Sequence, residues 1–91
     1  MEKPTVWVFH GDSARHAAAI FNTAEDGSRW IAQHRLSGIL TEYPVGEGCY
    51  DIAVSEGHFR PTKPHHGTAA HIAGFSPGWT RHMHYLDGHP A

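Results

Sequence analysis

The sequence predicts a single α+β domain, a small mixed or antiparallel sheet of three to four strands covered by one or two helices. Three observations carry that expectation. "TVWVFHG" and "GILTEYP" alternate side chains as strands do, "TAEDGSRWIAQHR" has a helix's cap and spacing, and 91 residues are too few for two independent cores.

The first strand opens at Pro4, with Val6, Val8 and His10 on one face and Trp7 and Phe9 on the other. Being apolar on both sides, it reads as a central strand ended by Gly11 and Asp12. A second strand is expected over 17–22, where Ala19-Ile20-Phe21 follows an alanine run. Thr23 then offers an N-cap with Asp26 three residues on, and Trp30, Ile31 and Leu36 fall at helical spacing, so helix one should run from about 24 to 35. Gly38 is the expected left-handed C-cap. Next comes a strand with Ile39, Thr41 and Tyr43 opposite Leu40 and Glu42, stopped by Pro44 and the glycines at 46 and 48.

"CYDIAVSEGHF" suits a short helix ending near Gly57, or another strand, and helix is the reading taken. Its two prolines and glycine make 60–68 a loop. "AAHIAGF" carries no clear period, and "WTRHMHYLDG" is a terminal strand with Trp79, Arg81, Met83 and Tyr85 opposite Thr80, His82 and His84. The expected order is strand, strand, helix, strand, helix, loop, strand.

Composition narrows the function classes. Cys49 stands alone, so one chain builds neither a disulfide nor a cysteine zinc cluster, which fits a reducing cytoplasm. The apolar run near the N-terminus is too short for a signal peptide or a membrane span. Seven basic side chains, scattered against nine acidic ones, make no nucleic-acid footprint. The anomaly is ten histidines against a net charge of −2, so mild acid should reverse the sign of the charge.

Those histidines supply the candidate sites. His82 and His84, two apart on a strand, point the same way at ~7 Å Cα spacing, and with His10 they would make a three-histidine site for zinc or another divalent transition metal if the first and last strands are neighbours. Asp12 or Asp87 would orient a ligand from outside. General acid–base chemistry needs only one or two tuned groups, and His10, Tyr43, Tyr50, Asp51 and His84 have suitable side chains. Nucleophilic catalysis by "FHGDS" is disfavoured, because Ser13 and His10 share one loop and no G-x-S-x-G elbow exists. The glycines at 46 and 48 lack the lysine of a phosphate loop, and Cys49 reads as a small packed side chain. His65, His66 and His71, with His89, read as loop histidines that scavenge nickel or zinc weakly.

"VWVFHG", "WIAQHRLSGILTEYP", "YDIAVSEGHFRP" and "HYLDG" together resemble a family of small bacterial proteins known only as a domain of unknown function. The resemblance extends over most of the chain, implies no established activity and carries over no catalytic residue. "HHGTAAHIAGFSPGW" departs from the family pattern, and His65, His66, His71 and His89 belong to this sequence rather than to it.

The leading functional expectation is a small cytoplasmic binding module for a partner protein or peptide. It would use a sheet or helix face, or an added edge strand, with Trp7, Trp79 and Tyr85 as anchors, and homodimerisation would also cover an edge. The alternatives are a small histidine-based enzyme around His10, His82 and His84, and a metal-binding or carrier protein.

Overall fold

The computed structural model describes residues 4–91. Their elements are β1 (Thr5–Gly11), β2 (Ala19–Phe21), α1 (Ala24–His34), β3 (Gly38–Pro44), α2 (Cys49–Ser55), α3 (Ala69–Ala73), β4 (His82–Leu86) and β5 (His89–Pro90). The strands form one antiparallel sheet in the order β2-β1-β3-β4-β5. The mixed α+β class is as the sequence predicts, but five strands replace three to four, and α3 is an additional helix. Both additions are very short, β5 with two residues and α3 with five, so neither has room for a periodic signal.

The alternation of β1, β3 and β4 decides what is buried. Trp7, Phe9, Leu40 and Tyr85 project from one face onto Ile31 of α1, and these five form the main core. Leu40 and Ile31 are completely buried, each contributing about 1.5–3 kcal/mol by leaving water. Trp30 closes the edge of this core, with ring centroids 5.7 Å from Phe9 and 5.6 Å from Phe21. The helix can lie this close because Gly27 faces the sheet: a Cβ there would stand 2.9 Å from a Leu40 methyl and 3.2 Å from Phe21. Trp7 and Tyr85 are therefore core residues, at 6% and 4% exposure, and not the docking anchors their aromaticity suggested. Trp79 is half-buried and stacks on His58 at 5.0 Å.

Local signals set the ends of α1. The Thr23 hydroxyl accepts from the Asp26 N–H at 3.2 Å, as the capping pattern anticipates. The C-cap is not Gly38, which already belongs to β3; Arg35 adopts the left-handed conformation instead (φ 54°, ψ 49°). The Leu36 N–H then reaches back to the Ile31 carbonyl at 3.0 Å. At the far end of the chain, Asp87 (φ 50°) and Gly88 (φ 89°) form a two-residue turn of the type that suits the twist of a hairpin, and it joins β4 to β5. The tip of that turn is tied to the end of α1. The Gly88 N–H donates to the Leu36 carbonyl at 2.8 Å, and the Asp87 N–H donates to the Ser37 hydroxyl at 3.0 Å.

One polar group seals the same face beyond the helix. Arg81 holds both Glu42 carboxylate oxygens at 3.1 Å and lies 5.3 Å over the Trp7 ring, while Thr5 donates to Glu42 at 2.8 Å. The Arg81 hydrogen bonds, outweighing an opposing desolvation, hold the Glu42 carboxyl below its ordinary 4.5.

Between β3 and β4 the chain makes a long excursion carrying α2 and α3. Ile52 and Ala53 of α2 are buried there, and Tyr50, Phe59 and Phe75 meet edge to face or tilted at 5.1–6.1 Å. The molecule is a plate of 43 × 34 × 19 Å, with a radius of gyration of 14.4 Å against about 12 Å for a compact chain of this length. Its small thickness is that of a sheet with one helix layer.

Two substitutions on α1 should act in opposite directions in urea denaturation. Gly27→Ala, although a better helix former, is expected to lose about 1–3 kcal/mol because Leu40 has nowhere to go. Arg35→Gly is expected to gain about 1 kcal/mol by relieving the left-handed cap. For Glu42, whose folded pKa is lowered, the stabilisation is full above 4.5 and disappears as pH falls through the folded value. Thermal melts of Glu42→Gln should therefore fall below wild type at neutral pH and merge with it in strong acid.

Candidate functional site

The sheet face opposite α1 carries the other half of the alternation: Val6, Val8 and His10 on β1, Ile39, Thr41 and Tyr43 on β3, and His82 and His84 on β4. Register sets their spacing. His10 pairs with Ile39, and Ile39 with His84, while Val8, Thr41 and His82 form the next row. β3 therefore separates β1 from β4, and His10 and His84 stand two strand spacings apart, about 10 Å at the Cα atoms. The adjacency that a shared ion between them required is absent from this strand order. His82 and His84 are closer, with ring centroids 5.3 Å apart and planes at 82°.

All three histidines nevertheless line one cleft of about 570 Å³ together with Ile39, Thr41 and Tyr43. Asp12–Ala14 from the β1–β2 loop and Ser76–Gly78 from the segment before β4 form its walls. The His10 ring is fixed within it, because Nε2 donates to the Ala14 carbonyl and leaves Nδ1 as the free nitrogen. Burial, with a smaller contribution from Cys49, pushes the Tyr43 hydroxyl above its ordinary 10.0, so it enters the cleft as a donor. Cys49 itself is half-buried and free, and burial raises its thiol too, which leaves it a poor nucleophile.

Tyr50 and Asp51 lie outside the cleft. Tyr50 packs on Phe59, His71 and Phe75, and Asp51 is exposed in the first turn of α2. The surface thus offers an apolar centre at Ile39 and Val8, with imidazoles and hydroxyls around it. Such a surface suits recognition by shape and hydrogen bonding.

A second gathering of histidines lies in the excursion. One ring nitrogen from each of His65, His66 and His71 falls within 4.8 Å of the others, and this is the group of potential ligands close enough to share an ion among the described residues. His89, on β5, is not part of it. Phe59 backs His66 and His71 with ring centroids at 4.9 and 5.5 Å, and Tyr50 meets His71 edge-on at 5.8 Å. The His66 imidazole is held below its ordinary 6.5, first by desolvation and then by the charges of His65, His71 and Lys63. The sequence shows these residues as loop histidines because the short helix that returns His71 to His66 has no legible period.

A family model described as a domain of unknown function (DUF7710) matches residues 6–91. No curated protein and no solved structure matches the chain. Among the described residues, no helix is long and apolar enough to cross a membrane.

Proposed function

We propose that this chain, which belongs to the DUF7710 family of unknown function, is a binding module that takes a segment of a partner protein across the open face of its sheet. One observation carries the reading: α1 covers one face of the five-stranded sheet, and the other face presents half-buried Val6, Val8 and Ile39 beside exposed Ile20 and Leu86. An apolar sheet face left in water is a surface that a partner stabilises by covering it. His10, His82 and His84 around that centre favour a segment that sets aliphatic side chains on Ile39 and hydrogen-bond acceptors on the imidazoles. Strand addition is the weaker mode here, since edge strand β2 has three residues and β5 has two, the second a proline.

The enzyme reading draws on the same cleft, where His10, Tyr43 and His84 supply acid–base groups and Tyr50 and Asp51 take no part. The His10 tautomer fixed by the Ala14 carbonyl favours it. A cytoplasmic setting agrees with the lone free cysteine.

The experiment compares proteins retained by the immobilised wild-type chain with those retained by Ile39→Glu and Thr41→Arg on the open face and by Gln33→Glu on exposed α1. A partner lost by both face variants, each with unchanged circular dichroism, and kept by the helix variant is the expected result. Equal retention by all four proteins would reject the open face. Concentration-dependent dimerisation abolished by the face variants would give the surface to a second copy of the chain.

A further inference from the structure

We propose that His65, His66 and His71 form a three-histidine site for a divalent transition ion, zinc foremost, within the excursion between β3 and β4. This goes beyond the binding role of the sheet face and shares no residue with it. The geometry is close to what coordination needs. Zinc–nitrogen bonds of about 2.0–2.1 Å at tetrahedral angles put ligand nitrogens about 3.4 Å apart, so nitrogens already within 4.8 Å must draw in by little more than an ångström. His65 is exposed and can make most of that movement, whereas His66 and His71 are half-buried against Phe59.

The backbone that carries these rings is held by one side chain. The Thr68 hydroxyl donates to the His65 carbonyl at 2.9 Å and accepts the His71 N–H at 3.3 Å, so a single residue ties the turn bearing two of the histidines to the helix bearing the third. Tyr50 and Phe75 pack on the His71 ring and restrict its rotation. Three neutral nitrogen donors select zinc, nickel or copper over magnesium or calcium, and leave a fourth tetrahedral position to water.

Coordination has a specific structural consequence. His66 Nδ1 accepts the Thr62 and Lys63 N–H groups at 3.0 and 3.2 Å, and His71 Nδ1 accepts the Gly67 N–H at 3.4 Å. A neutral ring accepting at Nδ1 carries its proton on Nε2, so either nitrogen can take a metal only if these hydrogen bonds are surrendered. Metal uptake must therefore be visible at three backbone amides remote from the sheet.

The test is a zinc chloride titration of tag-free protein at neutral pH, followed by calorimetry and by amide NMR, with magnesium chloride as the control. The expected result is one zinc per chain, no magnesium binding, and shifts centred on the amides of Thr62, Lys63 and Gly67. Affinity should fall at least about tenfold in His66→Gln and His71→Gln. It should also fall in His65→Ala, whose exposed ring can be removed without disturbing the fold, and stay unchanged in His82→Ala/His84→Ala. Absence of binding by wild type, binding that survives the three single variants, or binding lost in the β4 double variant would each overturn the proposal. None of these outcomes bears on retention of a partner by the sheet face.

Discussion

The contact between α1 and one face of the sheet is the constraint on which the rest of the structure depends. Ile31 set on Leu40, with Gly27 letting the helix approach, is the centre of the core that α1 and the sheet share. Everything that packs there, from Trp7 to Tyr85, takes its orientation from that contact. α1, with eleven residues, covers one face of the five strands, and the opposite face carries the cleft walled by the β1–β2 loop and Ser76–Gly78. The cleft of His10, His82 and His84 takes its exposure from that second face.

Where the sequence pattern was long, it was legible. Thr23 and the spacing of Trp30 and Ile31 mark α1, and alternation over Thr5–Gly11 and Gly38–Pro44 marks two strands and the residues sharing each face. His82 and His84 stand opposite Met83 and Tyr85 for the same reason. Alternation does not say which face receives the helix. Trp7 with Phe9, and Val6 with Val8, are both apolar pairs, so the aromatic pair could equally have been a docking surface. Nor does it order the strands, and the distance between His10 and His84 was set by β3 lying between them.

The remaining misreadings share a different cause. A strand of two residues and a helix of five are held by their surroundings rather than by their own propensity, since isolated segments of that length do not form. The histidines at 65, 66 and 71 read as weak scavengers of nickel or zinc in the sequence, but their convergence, without His89, depends on such a segment and had no signal there. Arg35 in the left-handed cap is a similar case: the glycine three residues later looked the better terminator, but β3 needed that glycine as its first residue.

The excursion over residues 45–81 lies between two strands that are neighbours in the sheet. Pairing β3 with β4 therefore requires a long loop to close, at an entropic cost that grows with its flexible length by about 0.6 kcal/mol per doubling. A segment that gathers itself around Tyr50, Phe59 and Phe75 shortens the flexible part of that loop. Side chains outside the core under α1 thereby bear on how quickly the C-terminal hairpin finds β3, and how readily it comes away again.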